Sequence, residues 1–218
     1  MSSHPSWYDR HVLPYLLDFA CGLPPVADLR RQVVPQAQGR VLEIGIGTGL
    51  NLPFYDRRKV SALVGIDPAE QMHRLARRRS ERAGLPVELL PLSADRLPLP
   101  SASFDSVVCT FTLCSVPDPA AALAEMRRVL RPGGRLLLAE HGLSPQPRVA
   151  RWQHRLEPAW SRIAGGCHLT RDVPRLLREA GFGAALDSAY FARPHVMGYG
   201  YWGHAQAAPQ PGQAGVRP

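Results

Sequence analysis

The chain has 218 residues, 45% of them hydrophobic, enough for one α/β domain with a sizeable core. No run reaches the ~18 uncharged apolar residues of a membrane span. Four cysteines without a C-x-x-C pair argue against a disulfide framework and structural zinc, so a reduced, cytoplasmic protein is expected. The net charge of +8 is almost wholly arginine, with Lys59 the single lysine, which reads as coding bias rather than a nucleic-acid surface.

Residues 1–37 read as a helical cap segment, with one short helix from Trp7 to Cys21 and another from about Pro25 to Val34. The apolar stretch Val12 to Leu23 is interrupted by Pro14 and Asp18 and lacks a secretory cleavage pattern, so no signal peptide is expected. It can still lie on a membrane surface. Strands then alternate with helices. Strands are predicted near 40–45, 61–66, 86–91, 104–110 and 135–141, and helices near 49–57, 68–83, 118–130 and 148–163. This alternation argues for a doubly wound parallel sheet. Arg74, Arg77, Arg78, Arg79 and Arg82, interleaved with Met72, Leu75 and Ala76, read as the solvated face of a helix. Arg131-Pro132-Gly133-Gly134 stops the helix before it and turns into the next strand. A helix over Asp172 to Ala180 and strands near 184–191 and 196–202 complete one domain over 38–202. The Ala-, Pro-, Gln- and Gly-rich residues 203–218 are expected to be a disordered tail.

The most informative segment is Val41-Leu42-Glu43-Ile44-Gly45-Ile46-Gly47-Thr48-Gly49. An apolar strand meets an acidic residue and then three glycines at alternate positions. Glycine is needed where a ligand approaches the backbone closely or φ is positive. A dinucleotide fold uses G-x-G-x-x-G with a pyrophosphate on the following helix; G-x-G-x-G behind a glutamate would repel a pyrophosphate. A plain strand–turn–helix loop is the bland alternative. Asp67 ends the second strand 18 residues past Gly49, close to the ~20 expected of a ribose-binding carboxylate. With Pro68 and Glu70 behind it, Asp67 also suits a helix N-cap, and both roles can hold.

This pattern resembles motif I of the class I S-adenosylmethionine-dependent methyltransferases, and the resemblance covers roughly residues 38–140. It implies an α/β, Rossmann-like, doubly wound, mostly parallel seven-stranded sheet with an N-terminal helical cap. It implies S-adenosyl-L-methionine as cofactor, held by Glu43, Gly45, Gly47, Thr48, Gly49, Asn51, Asp67, Pro68, Met72, Ser93, Ala94, Asp95, Cys109 and Thr110. Ser93-Ala94-Asp95 is similar to the stretch that packs on adenine, where many relatives place an aspartate at the position of Ser93.

Further segments resemble one branch of that superfamily, the alkyl-thiol S-methyltransferases and their bacterial relatives. They are Leu113-Cys114-Ser115-Val116, Ala139-Glu140-His141, Glu157-Pro158-Ala159-Trp160, Gly166-Cys167-His168-Leu169-Thr170-Arg171 and Pro194-His195-Val196-Met197-Gly198-Tyr199. With them the resemblance reaches residue 200. Relatives often carry Asn where His168 stands. The branch implies methyl transfer to the thiol of a small apolar molecule. Transfer to nitrogen or carbon of a phospholipid or isoprenoid quinone is the enzymatic alternative, and a non-catalytic cofactor-binding module is the other. No nucleic-acid partner is expected, and peripheral membrane contact is open.

Displacement at a sulfonium methyl needs little acid catalysis, because the leaving group is a neutral thioether. Most of the acceleration comes from holding the nucleophile in line, about 3–3.5 Å from the methyl. A thiol must also lose its proton. His141, at the carboxyl end of the fifth strand, is the first candidate for that step, and His168 beside Cys167 the second. Each has a bland alternative as a histidine bonded within the structure. Trp152 and Trp160 share a helix face, as pocket wall or core. Cys109 and Cys114 read as small buried residues near the methionine end of the cofactor. No histidine spacing suggests a metal site.

Overall fold

The structure, a computed structural model, describes residues 12–207. Two helices open it, α1 (Leu13–Gly22) and α2 (Pro24–Val33), each with proline in its first turn. Strands β1 (Gly39–Ile44), β2 (Val60–Ile66), β3 (Val87–Leu90), β4 (Phe104–Thr110) and β5 (Leu130–His141) follow, with helices α3 (Glu70–Ala83) and α4 (Pro119–Val129) between them. Helices α5 (Pro147–Ile163) and α6 (Val173–Glu179) precede β6 (Phe182–Tyr190) and β7 (Tyr199–Ala207). One seven-stranded sheet results, in the order β3-β2-β1-β4-β5-β7-β6. The first five strands are parallel, and β7 runs antiparallel between β5 and β6.

Alternation along the central strands explains the layers. Leu42 and Ile44 of β1, Val107 of β4 and Leu136 and Leu138 of β5 enter a core closed by Leu123 and Met126 of α4 and Val173 and Leu177 of α6. Their neighbours Val41, Val108 and Leu137 enter the opposite core, closed by Leu29 and Val33 of α2. A parallel sheet covered on both faces needs such continuous apolar runs. The register brings the strand ends level: Ile44 pairs with Ile66 and with Cys109, and Thr110 with Ala139. The loops that leave β1, β2, β4 and β5 therefore meet at one carboxyl edge, where open α/β sheets bind ligands.

Several boundaries differ from expectation. The helix expected near 49–57 is one 3-10 turn, Leu52–Phe54, because Pro53 has no N–H to continue it. Strand β5 begins at Leu130, with a register irregularity opposite Phe104 and Ser106 that absorbs the Pro-Gly-Gly segment. Strand β7 extends to Ala207, five residues past the expected strand end at 202, because it pairs with both β5 and β6. The cap helix expected from Trp7 begins, within the described residues, at Leu13; residues 1–11 and 208–218 lie outside them. Among the described residues, no helix is long and apolar enough to cross a membrane.

Candidate active site

The loop after β1 is shaped by its glycines. Gly47 has φ +52°, and a Cβ there would meet nothing nearer than Met72 Sδ at 3.6 Å and Asp67 Oδ2 at 3.8 Å. Those are ordinary contact distances, and Gly47 lines a cavity. Gly45, at φ +66°, is different: a Cβ would sit 2.3 Å from the Thr112 side chain. The first glycine lets β1 pack against the loop after β4, and the second leaves the backbone bare toward a cavity.

Asp67 ties this loop to β2. Its Oδ2 accepts from Gly47 N–H at 3.0 Å, and its Oδ1 from Ala69 N–H at 2.8 Å. Burial pushes its carboxyl above the usual range, although both backbone N–H groups oppose that shift. The expected N-cap role is corrected. Helix α3 starts at Glu70 with Ala69 as N-cap, so Asp67 closes a turn before the helix.

Beneath the loop lies a buried polar network. Glu43, 1% exposed, accepts from Tyr55 Oη at 2.7 Å and from Asn51 Nδ2 at 3.0 Å. Asn51 Nδ2 also donates to Thr110 Oγ1 at 2.9 Å. Arg30 of α2 donates to Asn51 Oδ1 at 3.0 Å and to Thr110 Oγ1, and its guanidinium lies 5.0 Å from the Phe111 ring centre. Burial lifts the Glu43 carboxyl to about 7, against the Tyr55, Arg30 and Asn51 partners that favour its charge.

Helix α1 is latched onto the same loop. Asp18 accepts from Thr48 Oγ1 and forms a two-pronged ion pair with Arg79, at 2.7 and 2.9 Å. Arg79 also donates to the Thr48 carbonyl at 2.8 Å. Burial alone would raise the Asp18 carboxyl; Arg79 and Thr48 outweigh it and hold it below the ordinary range. Arg79, expected on a solvated face, is thus a half-buried latch.

A cavity of about 910 Å³ runs along the sheet edge under α1. It is lined by Glu43, Gly45, Gly47, Thr48, Asn51, Asp67, Pro68, Met72, Ser93, Ala94 and Thr110, among others. Four expected residues do not line it. Gly49 packs against Leu52 and Ala76. Asp95 is exposed on the turn after β3. Cys109, one residue short of the edge, points back to Glu140 Oε1 at 3.4 Å. His168 pairs instead with Glu157 through Nδ1. It faces away because its neighbour Cys167 takes the cavity side.

The same cavity is also lined by Cys21, Cys114, His141, Trp160, Cys167, Phe191 and Met197. His141 Nε2 lies 2.7 Å from Cys167 Sγ, and that sulfur lies 3.7 Å from Cys114 Sγ. Burial opposes a charge on His141, but Cys167 and the carboxylates of Glu140 and Glu157 outweigh it and raise its pKa above the ordinary imidazole value. Trp152 is 57% exposed, so only Trp160 of the pair reaches the cavity. Sequence reasoning missed Arg30, Asp18, Glu140 and the closeness of Cys114 to Cys167. Arg30 carried a signal: it stands on the buried stripe of α2 with Leu29 and Val33.

Residues 42–138 match the methyltransferase domain family. The chain is 40% identical over 147 residues to thiol S-methyltransferase TMT1B of Rattus norvegicus, covering 65% of this chain and 59% of the relative. It is 41% identical over 130 residues to a phosphatidylethanolamine N-methyltransferase of Cereibacter sphaeroides, covering 58% and 63%. Over 184 residues it is 33% identical to human thiol S-methyltransferase TMT1A, covering 79% of this chain and 75% of the relative. The chain belongs to the class I S-adenosylmethionine-dependent methyltransferases. A Thermotoga maritima methyltransferase structure, described as a possible histamine N-methyltransferase, shares the fold, with TM-score 0.65, 23% identity and coverage of 92% and 97%. The chain spans about three fifths of the length of the first two of these relatives.

The methyltransferase cofactor, S-adenosylmethionine, suits this site on two observations. The bare face of Gly47 opens onto the cavity, and the Asp67 carboxylate borders it. Each Asp67 oxygen holds one backbone N–H and, as a carboxylate oxygen, has room to accept again from a ribose hydroxyl.

Proposed function

We propose that this protein transfers a methyl group from S-adenosylmethionine to the thiol of a small apolar molecule. The observation that carries this reading is one cavity whose wall holds both the glycine loop with Asp67 and His141 with Trp160, Phe191 and Met197. Bound there, S-adenosylmethionine supplies an electrophilic methyl on a sulfonium. Glu43, Gly45, Gly47, Asn51 and Asp67 are proposed to hold it, and α1 to exclude water above it. Trp160, Phe191 and Met197 would hold an apolar acceptor. His141, the basic side chain at that wall, favours the acceptor as thiolate. The test is incubation with methyl-labelled cofactor and a panel of alkyl thiols, phospholipids and quinones. Label on the thiols is expected; label on a lipid or quinone alone overturns the acceptor and leaves the family standing.

We also propose that the protein rests on an anionic membrane surface, where apolar acceptors partition. Val12, Tyr15, Leu16, Phe19, Leu23, Trp152 and Ile163 are the exposed large hydrophobics among the described residues, and all lie on or beside α1 and α5. Leu16, Leu23 and Ile163 also line the cavity, so this face adjoins it. Arg148, Arg151, Arg155 and Arg162 share the exposed face of α5 with Trp152 and Ile163, at helical spacing. Aromatic and aliphatic groups beside arginine suit an interfacial helix. Co-sedimentation with phosphatidylglycerol vesicles, reduced by salt and by Trp152→Asp, is expected. Equal binding to neutral phosphatidylcholine vesicles, or none to either, overturns it.

A further inference from the structure

We infer that Cys114, His141 and Cys167 are the protein ligands of a zinc-class metal site whose open fourth position takes the acceptor sulfur. The fourth position rests on the thiol reading proposed above; the three protein ligands do not. Their ligand atoms all lie within 4.8 Å of one another. They come from three separate segments: the loop after β4, the end of β5 and the turn after α5. No C-x-x-C spacing therefore announces them.

The geometry suits zinc. The two sulfurs are 3.7 Å apart. On a tetrahedral ion with Zn–S near 2.3 Å, two thiolates stand about 3.8 Å apart. His141 Nε2 is 2.7 Å from Cys167 Sγ, a hydrogen bond. An ion replaces that proton and asks for about 3.5 Å there, a shift of under ~1 Å for a ring that borders open cavity. Two thiols and an imidazole form a soft donor set that selects zinc over magnesium or calcium. Three protein ligands with one open position is the arrangement of catalytic rather than structural zinc. The surroundings hold the ligands in place. Trp160 Nε1–H donates to Cys167 Sγ at 3.5 Å, and the backbone N–H of His168 donates to the Cys114 carbonyl at 2.9 Å. Such outer contacts fix ligand orientation.

The chemistry balances. Cys114 and Cys167 lose their protons to solvent, so the dication and two thiolates are neutral together. The acceptor R–SH gives its proton to water as its sulfur enters the fourth position. Its electron pair forms the new S–CH3 bond while the methyl–sulfonium bond breaks. The product thioether is neutral, a weaker ligand, and leaves.

The full chain, kept reduced, is stripped with a chelator and titrated with Zn(II) and Co(II). One equivalent of zinc and thiolate-to-cobalt charge-transfer absorption are expected. Cys114→Ser and Cys167→Ser should each weaken zinc binding by more than ~100-fold, with melting curves confirming that each variant is folded. Should either variant unfold, cobalt absorption with thiolate character in the wild-type chain, abolished by alkylating the cavity cysteines, carries the same inference. Cobalt spectra without thiolate bands overturn the site, as does zinc binding that survives both substitutions. Thiol methylation at full rate in metal-free protein overturns the fourth position and leaves the thiol reading intact. Metal binding without any thiol methylation upholds the protein ligands and overturns the acceptor.

Discussion

The backbone N–H of Gly47 donates to Asp67 Oδ2 across 3.0 Å, so the turn after β1 and the tip of β2 are one unit. The carboxylate shapes the glycine loop as well as bordering the cavity. Asp67→Ala therefore has two expected consequences. Losing a charge-assisted contact to the cofactor costs on the order of 1.5–3 kcal/mol of binding, roughly a 10- to 100-fold rise in Kd by calorimetry. The N–H groups of Gly47 and Ala69, left without acceptors, lower the melting temperature as well. A lowered Tm with unchanged Kd would show that Asp67 only ties the loop. Gly47→Val should retain the fold at some cost from its positive φ and lose cofactor binding, because its branched side chain stands at the cavity that Gly47 lines.

The Asp18–Arg79 latch gives the cap a testable hinge. Arg79 and Asp18 side chains are 26% and 23% exposed, so the pair is partly screened and is worth about 1 kcal/mol. Arg79→Ala should release α1 and speed cofactor dissociation about fivefold in stopped-flow measurements. Asp18→Ala should do the same, and the double variant should add little, since both residues serve one latch. Additive losses would mean that the two residues act separately.

The sheet was legible because its strands are continuous apolar runs separated by helical spacing, and the glycine loop with Asp67 at the cavity because glycine and a carboxylate stand at fixed offsets in one βα unit. The wall that holds His141 was not legible. Cys114, His141 and Cys167 share no local pattern, and only the order β4-β5 and the turn after α5 bring them together. Arg79 misled for a related reason. It repeats with Arg74, Arg78 and Arg82 as solvated charges do, and its partner Asp18 is 61 residues away. His168 misled because a histidine beside a cavity-lining cysteine need not share its direction.

Glu43 should make stability pH-dependent. Burial raises its carboxyl to about 7 in the folded chain, against an ordinary 4.5. The folded protein keeps a proton that the unfolded chain releases above pH 4.5. The Glu43 contribution is therefore fully present below about pH 4.5 and is lost as pH rises through 7. The difference between those values corresponds to about 3 kcal/mol at most. Urea unfolding should show a wild-type midpoint falling between pH 5 and 8. Glu43→Gln, which needs no ionisation, should flatten that slope. Parallel slopes in the two proteins would place the titration elsewhere.

His141 is expected to matter most where a thiol cannot ionise by itself. A thiol of cysteine's acidity has a pKa near 8.5 and is only a few per cent thiolate at pH 7, and a simple alkyl thiol is less ionised still. If His141 helps supply the thiolate, as base or through a metal, His141→Ala should lower turnover about 10²- to 10⁴-fold at pH 7. Cofactor binding should persist, because His141 ends β5, two strands from β1 and three from β2, whose ends carry Gly47 and Asp67. Between pH 7 and 9 the unaided thiolate fraction of the acceptor rises by more than about an order of magnitude, so the deficit should shrink by about that factor. His168→Ala makes the contrast: it breaks the Glu157 pair outside the cavity and should lower Tm with little change in the pH profile of turnover. A His141→Ala deficit constant from pH 6 to 9 would assign the residue to positioning the acceptor. Unchanged turnover across that range would remove it from the reaction.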